Sequence, residues 1–175
     1  MPEVAVRPEA AADYDAIREV VHLAFKSDAE PALVDAMRLS RAYIPDLAFV
    51  ATAGAGTVGH VMVSRAELHD DGIVHEIAIL APLAVHPDHQ GRGIGGDLVR
   101  AVVARADALG EPLIVLEGSP LYYPRFGFRP AAELGITLPL PDWAPPEAAM
   151  ALPLAAYRSE LRGAVVYPKA FDLVE

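Results

Sequence analysis

The chain has 175 residues, 53% of them apolar, which is enough for one compact domain that buries roughly 70% of its unfolded surface and excludes a disordered chain. Fourteen basic residues stand against 24 acidic ones, and the net charge of −10 repels a phosphate backbone, so nucleic acid is not an expected partner. The absence of cysteine excludes disulfides, thiolate metal sites and a cysteine nucleophile.

Val4 and Val6 alternate with polar neighbours as a short first strand would. Ile17, Val20, Val21, Ala24 and Phe25 then recur at helical spacing and predict an amphipathic helix with one buried face. A second helix is expected over residues 30–40, with Pro31 at its start. Two runs, 47–52 and 57–64, flank Ala53-Gly54-Ala55-Gly56 and predict a hairpin, in which Gly59 marks a bulge or a close approach. A further strand over 73–85 is apolar on both faces near its end, as a central strand would be. Pro82 lacks the N–H that a sheet ladder needs, so the strand must bulge or splay there.

After His86-Pro87-Asp88-His89-Gln90 come the glycines, and then Leu98, Val99, Val102, Val103, Ala106 and Leu109 set a helix that ends at Gly110. Residues 113–116 read as a short buried strand, and Tyr122-Tyr123-Pro124-Arg125-Phe126-Gly127-Phe128 as a loop or short helix. Prolines 139, 141, 145 and 146 break up the next segment, and residues 148–154 predict a last strand. In the tail from Tyr157, Val165, Val166, Tyr167 and Phe171 are expected to cover a sheet edge or meet a second copy. The most apolar window, 77–85, is interrupted by Pro82 and too short for a membrane span. Met1-Pro2-Glu3-Val4 lacks the order of a secretory leader, so a cytoplasmic protein with no membrane partner is expected.

The informative segment is Gln90-Gly91-Arg92-Gly93-Ile94-Gly95-Gly96, between a strand and a helix start. Unpaired N–H groups and the positive end of the helix dipole favour a phosphate there, glycine lets the backbone close on it, and Arg92 is placed to add a contact at the rim. Gly91, Gly93 and Gly96 also satisfy the dinucleotide fingerprint, but five residues separate the strand from the first glycine, which that fingerprint does not allow. No Gly-Lys-Ser or Gly-Lys-Thr follows, which excludes a P-loop. His86, Asp88 and His89 have a metal-like spacing, yet the turn that delivers Gln90 explains them, and no metal is expected.

Leu83-Ala84-Val85-His86-Pro87, Gln90-x-x-Gly93-x-Gly95 and, about twenty-five residues on, Tyr123-x-x-x-Gly127-Phe128 resemble the GCN5-related N-acetyltransferase (GNAT) superfamily. Ala81 to Val85 together with Tyr122 to Phe128 are similar to its bacterial YhbS-like subgroup of predicted N-acetyltransferases. The resemblance implies an α/β (α+β) fold whose mixed, mostly antiparallel sheet splays between strands four and five, with flanking helices and acetyl-CoA in the opening. On that basis residues 1–175 are one acyl-CoA N-acyltransferase domain, with its core over about 3–155 and an extension over 156–175. Leu83, Ala84 and Val85 would pair with the pantetheine amides like an added strand. Gln90, Gly91, Arg92, Gly93, Ile94, Gly95 and Gly96 would hold the pyrophosphate, and Ser119 and Phe126 would contact coenzyme A.

A thioester is already activated, so the enzyme must mainly align an amine, remove a proton and protonate the leaving thiolate. The resemblance places Tyr123 as the general acid. Leu80 and Ala81 stand where many relatives carry a basic carboxylate, which leaves Glu76 or Glu117 as candidate bases. The expected acceptor is a primary amine on a small molecule or peptide, and a homodimer is the expected assembly. The alternatives are a non-catalytic acetyl-CoA-binding regulatory module and a dinucleotide-binding protein.

Overall fold

The protein's structure, a computed structural model, describes residues 3–174. Met1 and Pro2 of the leader reading and Glu175 of the C-terminal extension lie outside the described residues. The elements are β1 (Val4–Pro8), α1 (Tyr14–Phe25), α2 (Ala29–Arg38), β2 (Tyr43–Ala53), β3 (Gly56–Asp70), β4 (Ile73–Val85), α3 (Ile94–Ala108), β5 (Leu113–Glu117), β6 (Arg129–Pro130), β7 (Ile136–Thr137), β8 (Ala149–Pro153) and β9 (Gly163–Val166). One sheet runs β1-β2-β3-β4-β5-β8-β6, with every pair on that path antiparallel except β4 and β5. This is the mixed, mostly antiparallel α+β architecture expected above. Among the described residues no helix is long and apolar enough to cross a membrane.

Strand alternation divides the core into two layers. Ala48 and Val50 of β2 and Leu113 and Val115 of β5 pack with Ile17, Val20 and Val21 of α1 and Leu33, Val34 and Met37 of α2. The opposite face, Leu47, Phe49, Ile114 and Leu116, packs with Leu98, Val99, Val102 and Ala106 of α3. On β4, Ile77 and Ile79 serve the first layer, but so does Ala84, whereas Ala78 and Leu80 share the second with Leu83 and Val85. A period of two cannot produce that pattern unless one residue is inserted between 80 and 83. The register records it: Val63 faces Leu80 and Val61 faces Leu83, so Met62 alone opposes Ala81 and Pro82. The bulge expected at Pro82 is present.

Gly59 lies at a second irregularity, where β2 and β3 shift register between Ala51 and Thr52. A Cβ on Gly59 would stand 2.9 Å from Leu98 Cδ1, 3.3 Å from Ile94 Cγ2 and 3.3 Å from the Ala84 carbonyl. Glycine there lets the first turns of α3 sit on β3, so both readings of this residue hold. The helix itself starts at Ile94, inside the glycine run. The tail is structural as well: β9 pairs with β3 at Glu67, Leu68 and His69, on the overhang beyond Ser64 where β2 stops. Val165 and Val166 thus cover a sheet edge, as expected, while β6, β7 and β9 as strands were not signalled by their short runs.

A buried polar cluster pins α2 to the sheet. Glu9 accepts from Arg38 Nε at 3.1 Å and Nη2 at 2.8 Å, from the Tyr43 hydroxyl at 2.8 Å and from His60 Nε2 at 3.0 Å. The Glu9 and His60 side chains are 1% and 0% exposed, so the Glu9 carboxylate is compensated by the Arg38 guanidinium and the hydrogen bonds of the cluster and not by water. The Arg38 guanidinium also lies 3.8 Å from the centre of the Tyr14 ring. Burial pushes the Glu9 carboxyl up, but the hydrogen bonds from His60 and Arg38 outweigh it and bring it down to about 2. Burial pushes His60 down, so its imidazole is neutral with the proton on Nε2.

Two outcomes follow from this packing. Gly59→Ala should cost about 1–3 kcal/mol by overpacking beneath α3, read as a lower urea midpoint at unchanged m; an unaltered midpoint would show that Leu98 and Ile94 yield freely. Glu9 ionises near 4.5 when unfolded and near 2 when folded, so its stabilisation is complete above 4.5 and drains as pH falls toward 2. His60, depressed below 6.5, adds acid loss of the same sign that begins at that value. The melting temperature should therefore fall with acid more steeply in wild type than in Glu9→Gln across the window from 4.5 toward 2, and parallel curves would remove the assignment.

Candidate functional site

The sheet divides where β4 leaves β5. Their parallel pairing is confined to Ala78 with Ile114 and Ile79 with Val115. Beyond those pairs β4 stays with β3 as far as Val85, and β5 stays with β8 as far as Glu117. The bulge bends β4 at this point, so the two halves of the sheet part and the β4 backbone from Leu80 to Val85 has no β5 partner. Buried N–H and C=O groups need partners, and an extended ligand with amides is the kind that such an edge accepts.

The wedge is a cavity of about 770 Å³. Ile79 to Leu83 form one wall and Glu117, Gly118, Ser119, Pro120 and Tyr123 the other, while Phe25, Glu30, Leu33, Trp143, Phe171 and Val174 also line it. A second cavity, about 370 Å³, lies against the glycine loop and is lined by Val85, Gln90, Gly91, Gly93, Ile94, Gly95, Gly96, Arg100, Tyr122, Arg125 and Phe126, with His89 at its edge.

Local chemistry builds the second cavity. Gly91 and Gly93 have φ of 76° and 84°, a backbone that a Cβ disfavours, and Gly93 caps α3 without any side-chain acceptor. The first N–H groups of α3 are thereby left for a ligand. Gln90 donates from Nε2 to the Val85 carbonyl at 3.0 Å and ties the loop to the end of β4. His86 Nδ1 accepts from the Asp88 N–H at 3.1 Å, so this residue closes the turn that precedes the loop.

Six of the seven loop residues expected to hold the pyrophosphate line this cavity; Arg92 does not, and it is exposed beside it. The cations that do line it are Arg100 and Arg125. Arg100 is four residues past Gly96, on the same side of the helix, and its Nη1 lies 3.1 Å from where a Gly96 Cβ would stand. Arg125 donates from Nε to the Tyr122 carbonyl at 2.9 Å and stacks 4.7 Å from the centre of that ring. The helical spacing from Gly96 was the available sequence signal for Arg100; Arg125 had none, because its position depends on the fold of the aromatic segment.

The two adjacent tyrosines part company. The Tyr122 hydroxyl stands 3.0 Å from the place of a Gly95 Cβ, over the first turn of α3, whereas Tyr123 lines the wedge. Their rings meet edge to face at 5.0 Å, and Tyr123 also contacts Phe128 at 5.7 Å between ring centres. Burial, with a smaller contribution from Tyr122, pushes the Tyr123 phenol up to about 12. It stays protonated at neutral pH and can donate. Gly118 makes room for it: a Cβ there would fall 2.4 Å from Tyr123 Cε2, a contact no side chain survives.

Leu83 lines the wedge and Val85 the glycine cavity, while the Ala84 side chain packs into the α1/α2 layer and lines neither. Ser119 lines the wedge and also makes a turn, its Oγ accepting from the Leu121 N–H at 3.2 Å. Phe126 is in the glycine cavity. Of the two candidate bases, Glu117 is in the wedge and its Oε2 accepts from the Tyr167 hydroxyl. Glu76 lines neither cavity; it pairs with Glu67 on the far side of the β4–β5 contact, four residues or about 13 Å of strand before Leu80. Phe25, expected in the core, is 41% exposed and forms part of the wedge, and Glu30, Trp143 and Phe171 reach it from sequence positions that no spacing connects.

Known proteins share this arrangement. Residues 5–131 match the acetyltransferase (GNAT) domain family. YjhQ of Escherichia coli strain K12, an uncharacterized N-acetyltransferase, is 36% identical over 133 residues, covering 74% of this chain and 72% of YjhQ. The crystal structure of Escherichia coli YhbS in complex with CoA superposes with a TM-score of 0.88 at 28% identity, covering 98% of this chain and 93% of that one. A Brucella melitensis GNAT acetyltransferase in complex with acetyl-CoA gives 0.79 at 29% identity, over 98% and 100% of the two chains. The parted sheet, the glycine-capped helix and the match over residues 5–131 agree, and the chain belongs to the GNAT family of acetyl-CoA-dependent N-acetyltransferases.

Proposed function

We propose that the chain binds acetyl-CoA along the open edge of β4 and transfers the acetyl group directly to a primary amine in the wedge. Continuity carries this reading. Leu83 and Val85, about 7 Å apart along one strand, line the wedge and the glycine cavity respectively, so one extended ligand can occupy both. Its pyrophosphate would meet the α3 N–H groups with Arg100 and Arg125, and its amides the unpaired backbone from Leu83 to Val85. The relatives bound to CoA and acetyl-CoA support acetyl-CoA as that ligand. Residues 1–175 act as one domain in this reading, since β9 and Phe171 of the extension enter the same sheet and the same wedge.

In the transfer, the neutral amine attacks the thioester carbonyl carbon, a C–N bond forms and the C–S bond breaks. The thiolate takes the phenolic proton of Tyr123, whose raised affinity keeps that proton available at neutral pH. Glu117, at the exposed rim of the wedge, takes the proton that the amine gives up and passes it to water. Tyr123 then recovers its proton from solvent as CoA leaves.

Acetyl-CoA and CoA should each raise the melting temperature, by the equivalent of about 2.7 kcal/mol at a hundredfold excess over Kd, and NADH should not; a shift with NADH alone would overturn the cofactor. Tyr123→Phe should lower kcat about a hundredfold with the acetyl-CoA Kd nearly unchanged, and full turnover in that variant would remove Tyr123 as the acid. Gly118→Ala, which displaces the same ring, should lower kcat in the same sense, while a Gly118→Ala enzyme with wild-type kcat would show that the ring needs no fixed seat.

A further inference from the structure

The end of the wedge remote from the glycine loop has a chemistry of its own. Its walls are Phe25, Leu33, Trp143 and Phe171, all apolar. One carboxylate sits among them: Glu30, in the first turn of α2. Its Oε2 is sealed from solvent and has no hydrogen-bond partner among the described residues, while the residue as a whole is half-buried and lines the wedge, so a ligand reaches the carboxylate at its other oxygen. Glu117, the other carboxylate of the wedge, already accepts from the Tyr167 hydroxyl. No lysine, arginine or histidine lines the wedge among the described residues.

A carboxylate with one oxygen sealed and unpartnered lacks compensation within the protein, and an ammonium at its accessible oxygen brings donors and the compensating charge. An acceptor that carries a carboxylate of its own would find two like charges and no cation. The apolar walls in turn favour a body that sheds water on entry. We infer that Glu30 recognises the acceptor's ammonium, and that the acceptor class is a small primary amine on an apolar, aromatic-sized body without a carboxylate. This rests on the acetyl-transfer reading for its reaction and not for its recognition; the bound ammonium gives up one proton, through Glu117 to water, before it attacks as the neutral amine of that reading. Helix α2, which carries Glu30 and Leu33, is held by the Glu9–Arg38–His60 cluster, so the carboxylate is presented from a fixed element.

The test compares phenylethylamine with phenylalanine, which has the same ring and an added carboxylate, on wild type, Glu30→Gln and Glu30→Asp. Binding of each to CoA-loaded protein is measured by calorimetry, and turnover by CoA release from acetyl-CoA. Phenylethylamine should bind wild type and be the better acceptor by at least about tenfold, and Glu30→Gln should lower its kcat/KM about 30-fold, chiefly through KM, with the acetyl-CoA Kd unchanged. Glu30→Asp should recover part of that loss. Wild-type binding and kcat/KM within about twofold in Glu30→Gln, or phenylalanine used as well as phenylethylamine, would overturn the assignment. If both variants unfold, wild type that uses phenylalanine as well as phenylethylamine still overturns the assignment. Binding of phenylethylamine that depends on Glu30 without any release of CoA would sustain the recognition and sink acetyl transfer to this class; release of CoA with phenylalanine and no binding of phenylethylamine would do the reverse.

Discussion

A proline cannot donate to a sheet ladder, and in this protein that deficit falls in the middle of the central strand. Ala81 and Pro82 together oppose a single residue of β3, and everything beyond them on β4 changes face by one step. Because the bulged strand bends while β5 remains paired with β8, the sheet parts after two residue pairs. Both cavities border the edge that results. Without the parting, Leu83 to Val85 would be an ordinary buried ladder with no room for a ligand.

The chemistry is arranged around that edge by close approaches and not by charge density. Gly59 lets α3 sit on β3, which brings the glycine-capped end of the helix to Val85. Gly118 lets the Tyr123 ring lie against the strand end, where burial holds its proton, and Gly95 leaves space for the Tyr122 hydroxyl. Two neighbouring tyrosines are thus assigned to different cavities by two absent methyl groups. The cations are equally sparing: Arg100 and Arg125, each stacked on an aromatic ring, flank the glycine cavity of a chain whose net charge is −10.

The proposed acceptor end depends on the rigidity of α2. Glu9, Arg38 and His60 are almost wholly withdrawn from water, and such groups are tolerable only as a set. Their mutual bonds tie the chain after β1, the last turn of α2 and the centre of β3 into one unit. Phe171 from the tail and Trp143 from the proline-rich segment complete the same end of the wedge. Segments far apart in sequence therefore shape the part of the wedge proposed for the acceptor, while the residues proposed for coenzyme A fall within 83–126.

That contrast explains what could be read without the fold. The glycine run before an amphipathic helix, the strand broken at Pro82 and the tyrosine before Gly127-Phe128 are local patterns, and local backbone rules determine them: a missing N–H, a positive φ, a period of 3.6. They sufficed for the helices, the main strands and the glycine loop of residues 90–96 that lines the second cavity. Periodicity says that a side chain is covered, and not by what, so it placed Phe25 in the core; loop position pointed to Arg92 and gave no sign of Arg100 and Arg125, and the resemblance kept Glu76 level with Glu117. Strands of two to four residues, such as β6, β7 and β9, carry too few alternations to register. Only the tertiary structure decided the split of Tyr122 from Tyr123, the buried Glu9 cluster and the carboxylate of Glu30 among apolar walls, because each depends on distances between segments that the order of residues along the chain does not encode.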